Sequence, residues 1–458
     1  MTPRDFLRSY TFNRRIVDGG YYPSAPLRVE EGETVGVVMM NLGGPRTLDE
    51  VKPFLYNLYM DPASVPLPVD GTLRHWVCRA MATLRARSVR TDYEMIGGSS
   101  PLNRLTREQA QALEQHLHAT YGGPSGVSFR TYLAMRYGHP SSEDAAAAMV
   151  DDGVDRVVLL PLYPHYAKST TGSSMAYWHA LDTRDTIPSW PTTTVPEYAA
   201  NPKYVQALSE RIDEGLQRFP HAVRDDVHFV FSAHGIPRRD VTDRHDPYCC
   251  LVHATVEEVM RRRAGDRPFH TAFRDRVGWT EWLTPSTTDV LDTVASSNAD
   301  GVLVVPIAFL TDHLKTSYEL DVQVREQAEA MGLRHYEVTS GLNAHPLLIE
   351  ALGEATVSQL QLPVDVNRLR HSGNGTTHDY PLRPLDALPR YAPQTRAAQC
   401  ANCTCRATAR CWQPEPERPI VDPTEEERAA PESSNGHPSA PDRSVESASW
   451  TGRSQSVE

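Results

Sequence analysis

One histidine closes an apolar run. In "VHFVFSAHGIP" (Val227–Pro237) the residues are strand-like up to Ala233, and His234 stands where the chain turns. An imidazole in that position can move a proton near neutral pH or ligate a first-row metal ion; it can also merely cap or pack. Two other turns follow the same plan. "YPHYAKSTTGSS" (Tyr163–Ser174) comes after "RVVLLPL", and "LTDHLKTSYELD" (Leu310–Asp321) comes after "GVLVVPIAF". The hydroxyl run of the first suits a helix cap, or a phosphate or carboxylate. In the second, Asp312 is placed to cap a helix, and Lys315 and Glu319 form an i,i+4 pair worth about 0.2–0.5 kcal/mol on a surface. A fourth stretch, "CANCTCRATARC", brings Cys400, Cys403, Cys405 and Cys411 close together in sequence. In a reducing compartment four thiolates suit structural zinc or an iron–sulfur cluster better than disulfides.

The elements that must position these groups read as an α/β fold. "VGVVMMN" from Val35, "RVVLLPL" from Arg156, "VHFVFSA" from Val227 and "GVLVVPIA" from Gly301 are short apolar runs rich in β-branched residues, as in parallel strands buried on both faces. Helical patterns alternate with them, from Leu105 and from Pro202. Open sheets of this kind bind ligands at the carboxyl ends of their strands, so the three turns are expected to collect around a cleft. An internal echo, "DGVDRVVLLPLYPHY" (Asp152–Tyr166) against "ADGVLVVPIAFLTDH" (Ala299–His313), points to two similar lobes or to two buried strands of like composition.

The chain has 458 residues, 40% apolar and 23% charged, and a formal net charge of −12. That balance is a solubility feature and lacks the basic footprint of a nucleic-acid binder. No window reaches the roughly 18 apolar residues of a membrane span, and the N-terminus lacks a secretory signal. The expected location is the cytoplasm, with peripheral contact at the inner membrane face left open. The expected organisation is an N-terminal arm (1–32), an α/β lobe (33–190), a second α/β lobe (191–362), an extension with the cysteines (363–412) and a disordered tail (413–458).

Eight stretches resemble, in order, the ferrochelatase family: "NLGGPRTLDEVKPFLYNLYMDP", "YEMIGGSSPL", "MRYGHP", "YPHYAKSTTGSS", "FSAHGIP", "VGWTEWLTPST", "PIAFLTDHLKTSYELD" and "GLNAHP". The resemblance implies two Rossmann-like lobes with parallel sheets flanked by helices, of the class II chelatase type. Between them a porphyrin, protoporphyrin IX, would receive Fe²⁺. Insertion requires that the macrocycle be gripped and bent, that two pyrrole protons leave and that iron shed its water. His234 matches the family histidine, as proton acceptor or as iron ligand. Leu55, Leu58 and Tyr59 sit at helical spacing, ordinarily a core pattern; the resemblance makes them the lip of the cleft. It also places Leu42 under the macrocycle, Arg85, Tyr93 and Ser100 in contact with it, and Arg136, Tyr137 and Trp282 along the cleft.

One departure bears on the chemistry. Where the family carries a glutamate facing the histidine, this chain has Lys315, while Glu319 is shared with the family. A protonated lysine cannot ligate Fe²⁺ and repels it, by about 4 kcal/mol per unit charge pair at roughly 4 Å and an effective dielectric of about 20. Either Glu319 takes over as the acid–base group and metal ligand with Lys315 turned away or acting as a base, or the chain is a porphyrin- or haem-binding protein with weak or lost chelatase activity. A chelatase for another metal or tetrapyrrole is the third reading. The resemblance further implies a [2Fe–2S] cluster on Cys400, Cys403, Cys405 and Cys411, with structural zinc or no metal as alternatives. The animal type takes its distant fourth cysteine from the position of Lys168, so here all four ligands would be local.

Overall fold

The computed structural model describes residues 26–69, 71–242, 246–274, 280–297, 299–313 and 315–363, without the side chains of 315–319. The expected tail, the cysteine segment and most of the N-terminal arm lie outside the described residues. Strand β1 (Leu27–Arg28) pairs in parallel with β10 (Leu360–Gln361), joining the two ends of the described chain. Between them stand two four-stranded sheets, parallel throughout. In the first, β2 (Thr34–Asn41) lies between β3 (Ser128–Met135) and β4 (Arg156–Pro161), and β5 (Thr192–Thr194) follows β4. In the second, β6 (Val227–His234) lies between β7 (Phe269–Arg274) and β8 (Gly301–Pro306), with β9 (His335–Val338) beyond β8. The two orders are the same, and the echoing segments supply β4 and β8, which hold equivalent places. The first sheet ends at Thr194, a few residues beyond 190.

The helices begin with α1 (Val51–Met60), α2 (Gly71–Met95) and α3 (Leu102–Leu117). Helices α4 (Ser142–Asp151), α5 (Ser173–Asp182) and α6 (Pro202–Leu216) complete the first half. The second half has α7 (Tyr248–Arg262), α8 (Thr287–Ser296) and α9 (Pro346–Val357). Local chemistry fixes several starts. Ser141 with Asp144, and Ser286 with Asp289, form capping boxes at α4 and α8. At α6, Asn201 caps two backbone N–H groups and Pro202 follows at the first helical position.

Burial on both faces explains the unbroken apolar strands. Val35, Val37 and Met39 of β2 and Val158 and Leu160 of β4 share one core with Phe229 and Phe231 of β6 and Leu303 and Val305 of β8. The opposite faces pack separately, against α5 in the first lobe and α8 in the second. The lobes are thus joined through a common interior. Helix α2 differs, for Leu73, Trp76, Leu84 and Met95 stand exposed along one stripe of it. Among the described residues no helix is long and apolar enough to cross a membrane.

A buried histidine reports on this junction. Thr255 on α7 donates its hydroxyl to the Ala199 carbonyl at 2.6 Å, so it accepts from Nε2 of His165, 2.8 Å away. The ring is neutral, and burial depresses its pKa to about 3. An unfolded imidazole takes its proton near 6.5. The stabilisation is therefore complete above about pH 6.5 and falls as the pH drops toward 3, by at most about 1.4 kcal/mol per pH unit. His165→Gln keeps a donor for Thr255 without a titrating ring, and should lose less thermal midpoint between pH 7 and pH 5 than the native chain. Equal losses would contradict the assignment.

Candidate active site

The strands deliver their reactive residues to one end. His234 is the last residue of β6, in register with Arg274, and the Gly235 N–H donates to the Arg274 carbonyl at 2.5 Å. Its half-buried ring meets Phe309 edge-on, with centroids 6.2 Å apart. Phe309 belongs to the turn after β8 and packs against the buried His313 at 4.3 Å. From the first lobe, Tyr163 in the turn after β4 meets the same phenylalanine at 6.2 Å. The three turns singled out in the sequence therefore converge on Phe309. Sequence reasoning did not single out Phe309, His313 or Tyr163; their position just after echoing strands was the available signal.

Two cap assignments are corrected. Asp312 does not cap the following helix: its carboxylate accepts from the Gly341 N–H at 3.0 Å and from Nδ2 of Asn343 at 2.8 Å. Helix α5 starts without a side-chain cap, and Ser173 of the hydroxyl run points its Oγ to Asp61 instead. The backbone of Lys315 and Glu319 lies in a π-helical segment, Lys315–Val324, a form that recurs at functional sites. Their side chains lie outside the described residues.

A separate apolar cluster comes from α1, α2 and the turns after β2 and β3. Leu42, Leu55, Leu58, Tyr59, Tyr93 and Tyr137 gather into one apolar cluster, distinct from the main core. Within it Leu55, Tyr93 and Tyr137 are buried, while Leu42, Leu58 and Tyr59 keep part of their surface open. The last three can touch a ligand; the first three support them. Burial raises the pKa of the Tyr59 phenol, opposed by the positive charge of Arg85, which is exposed on α2. Ser100 is a floor residue. Its N–H donates to the Pro45 carbonyl at 2.9 Å, and a Cβ at Gly44 would stand 2.5 Å from its side chain. The turn "NLGGP" needs its glycine for that approach. Trp282 is half-buried and bridges backbone to backbone with Pro237, beside the loop that leaves His234.

Arg136 is committed inward. It is buried, and its guanidinium donates to Asp61 at 2.9 Å and to Ser173 Oγ at 2.9 Å. It lies between the rings of Tyr137 and Tyr177, 5.0 and 4.7 Å from their centroids. The Tyr137 hydroxyl also donates to Asp61, at 2.8 Å. Burial next to this carboxylate pushes the Tyr137 pKa far up and keeps the phenol protonated. Asp61, directly after α1, was missed in the sequence because its partners lie far along the chain. Removing one member of a buried pair costs about 3–5 kcal/mol. Asp61→Ala should show that loss in urea denaturation, partly recovered by Asp61→Ala with Arg136→Met. A loss under about 1 kcal/mol would reduce the pair to a minor contact.

The chain is similar to known proteins. A family model described as "Ferrochelatase" matches residues 34–360. A ferrochelatase of Cyanothece sp. (strain PCC 7425 / ATCC 29141) is 39% identical over 330 residues, 72% of this chain and 83% of the relative. One of Gloeobacter violaceus (strain ATCC 29082 / PCC 7421) is 37% identical over 327 residues, 71% and 98%. Among solved structures, SirB from Bacillus subtilis with Fe³⁺ matches 71% of this chain and 96% of its own, with 10% identity and a TM-score of 0.42. By its family match and its relatives, the chain belongs to the ferrochelatase family.

Proposed function

We propose that the chain inserts Fe²⁺ into protoporphyrin IX to form protohaem, with His234 acting on the pyrrole nitrogens or on the incoming metal. The observation that carries this reading is the convergence of His234, Phe309 and Tyr163; the partly open Leu42, Leu58 and Tyr59 of a separate cluster supply the apolar surface it needs. Apolar side chains with few polar groups suit a flat macrocycle, and packed aromatics supply a rigid surface against which it can be bent. Leu55, Tyr93, Tyr137, Arg136 and Ser100 hold that surface from behind. Arg85, exposed on α2, and Trp282, half-buried beside the loop that leaves His234, belong to the same reading as porphyrin contacts. Among the described residues no three His, Cys, Asp or Glu side chains are grouped as a metal site. The acidic partner of His234 in this reading is Glu319.

Lys315 favours a second reading, in which the cleft binds porphyrin or haem without inserting metal. Anaerobic Fe²⁺ insertion separates the two. We expect native turnover, a loss of about 10²–10⁴ in kcat for His234→Ala with porphyrin binding retained, a clear loss for Glu319→Gln, and none for Lys315→Glu. Porphyrin binding without native turnover, restored by Lys315→Glu, would establish the binding role instead. The exposed stripe of α2 extends the reading to a bilayer from which porphyrin enters: in the same assay Trp76→Ser should slow insertion of vesicle-borne porphyrin and spare porphyrin in detergent.

The cysteine segment belongs to this reading as the holder of a [2Fe–2S] cluster. Four thiolates are the donor set such a cluster takes. Within the core, Lys168 is buried, with its backbone N–H donating to Asp246 at 2.8 Å, and it brings no thiolate. In this reading Cys400, Cys403, Cys405 and Cys411 supply all four ligands. The purified chain should be red-brown with iron and acid-labile sulfide in equal amounts, and Cys403→Ser should lose both. A colourless chain holding zinc would mark a structural site.

A further inference from the structure

Helix α3 buries three polar side chains on one face at helical spacing: Asn103, Thr106 and Gln109. Each is bonded to a strand end or to a turn. Asn103 donates its Nδ2 to the Gly44 carbonyl at 2.8 Å. Thr106 Oγ1 accepts from Nδ2 of Asn41 at 3.1 Å, and Asn41 Oδ1 accepts from the Leu42 N–H at 2.8 Å. These two residues hold the first-lobe turn that presents Leu42. Gln109 reaches into the other lobe. Its Nε2 donates to the Asn343 carbonyl at 2.8 Å, and its Oε1 accepts from Oγ1 of the buried Thr311 at 3.1 Å.

The two turns read by Gln109 are themselves locked together. Asp312 accepts from Gly341 and Asn343, its own N–H donates to Asn343 Oδ1 at 3.0 Å, and the Asn343 N–H donates to the Leu310 carbonyl at 2.8 Å. Asn343 has the positive φ, 48°, that this closed ring of contacts demands. One amide from the first lobe thus grips the segment that carries Phe309 and His313.

We infer that the Asn103–Thr106–Gln109 stripe is a strut that sets the separation of the two jaws, and that Gln109 is a positioning residue for metal insertion. The inference rests on the proposed function for its kinetic readout and on the contacts alone for its structural one. A buried amide satisfied at both ends is directional, unlike an apolar contact, so it fixes orientation as well as distance. Misplacing a reacting group by about 1 Å costs up to about 100-fold in rate.

Gln109→Leu removes both bonds at similar volume. In the full chain it should lower kcat about 10- to 100-fold with little change in porphyrin KM. Amide exchange should quicken in Leu310–His313 and Gly341–His345 while the rest of α3 stays protected. Gln109→Glu keeps the acceptor for Thr311 but regains a donor for Asn343 only when protonated. Its turnover, relative to native, should recover as the pH falls, which a mere loss of packing would not give. Native-like kcat and exchange in Gln109→Leu would overturn the strut, as would loosening spread over all of α3. Quickened exchange in the two turns, in a chain whose native form inserts no iron, would uphold the strut and overturn the metal-insertion reading.

Discussion

Tyr163, in the turn after β4 of the first sheet, meets Phe309, in the turn after β8 of the second, edge to face, 6.2 Å between centroids, and that contact joins the two sheets at one site. It can exist only because β4 and β8 hold equivalent places and end facing the same space. Both strands feed one shared core, in which residues of β2 and β4 pack with those of β6 and β8. The geometry at the mouth is therefore inherited from the interior. Movement between the lobes would have to break close-packed contacts.

Buried polarity defines the two walls. On one side a charged network of Asp61, Arg136, Ser173 and Tyr137 fastens the end of α1 to β3 and α5. On the other, neutral amides and hydroxyls fasten α3 to both jaws. Such groups cost desolvation energy and give little net stability, but an unmet partner is expensive. The native arrangement is thereby favoured over near alternatives that an apolar interface would tolerate. A site that must hold a bent macrocycle against a metal-bearing group needs that definition.

Much of this was readable from residue order alone. Continuous apolar runs announced buried parallel strands, the echo at 152–166 and 299–313 left open two like lobes or two strands of like composition, and a histidine closing "VFSA" lay where open sheets bind ligands. Leu42, Leu58 and Tyr59 were expected at the cleft, and each keeps part of its surface open. What stayed hidden depends on distance along the chain. Asp61 finds Arg136 75 positions away, and Gln109 finds Asn343 234 positions away. No local periodicity encodes such pairs. Asp312 and Ser173 looked like caps because a short polar residue before a helix usually is one; tertiary partners claimed them instead.

The central claim is that a porphyrin occupies the space between His234 and the Leu42, Leu58 and Tyr59 surface. A crystal structure of the chain with an N-methylated protoporphyrin, whose alkyl group forces the ring out of plane, tests it directly. The account predicts a bent macrocycle lying on Leu42, Leu58 and Tyr59, its central nitrogens facing His234 and its edge against Phe309. A macrocycle bound elsewhere, or seated in the cleft with His234 turned from the ring centre, would contradict it.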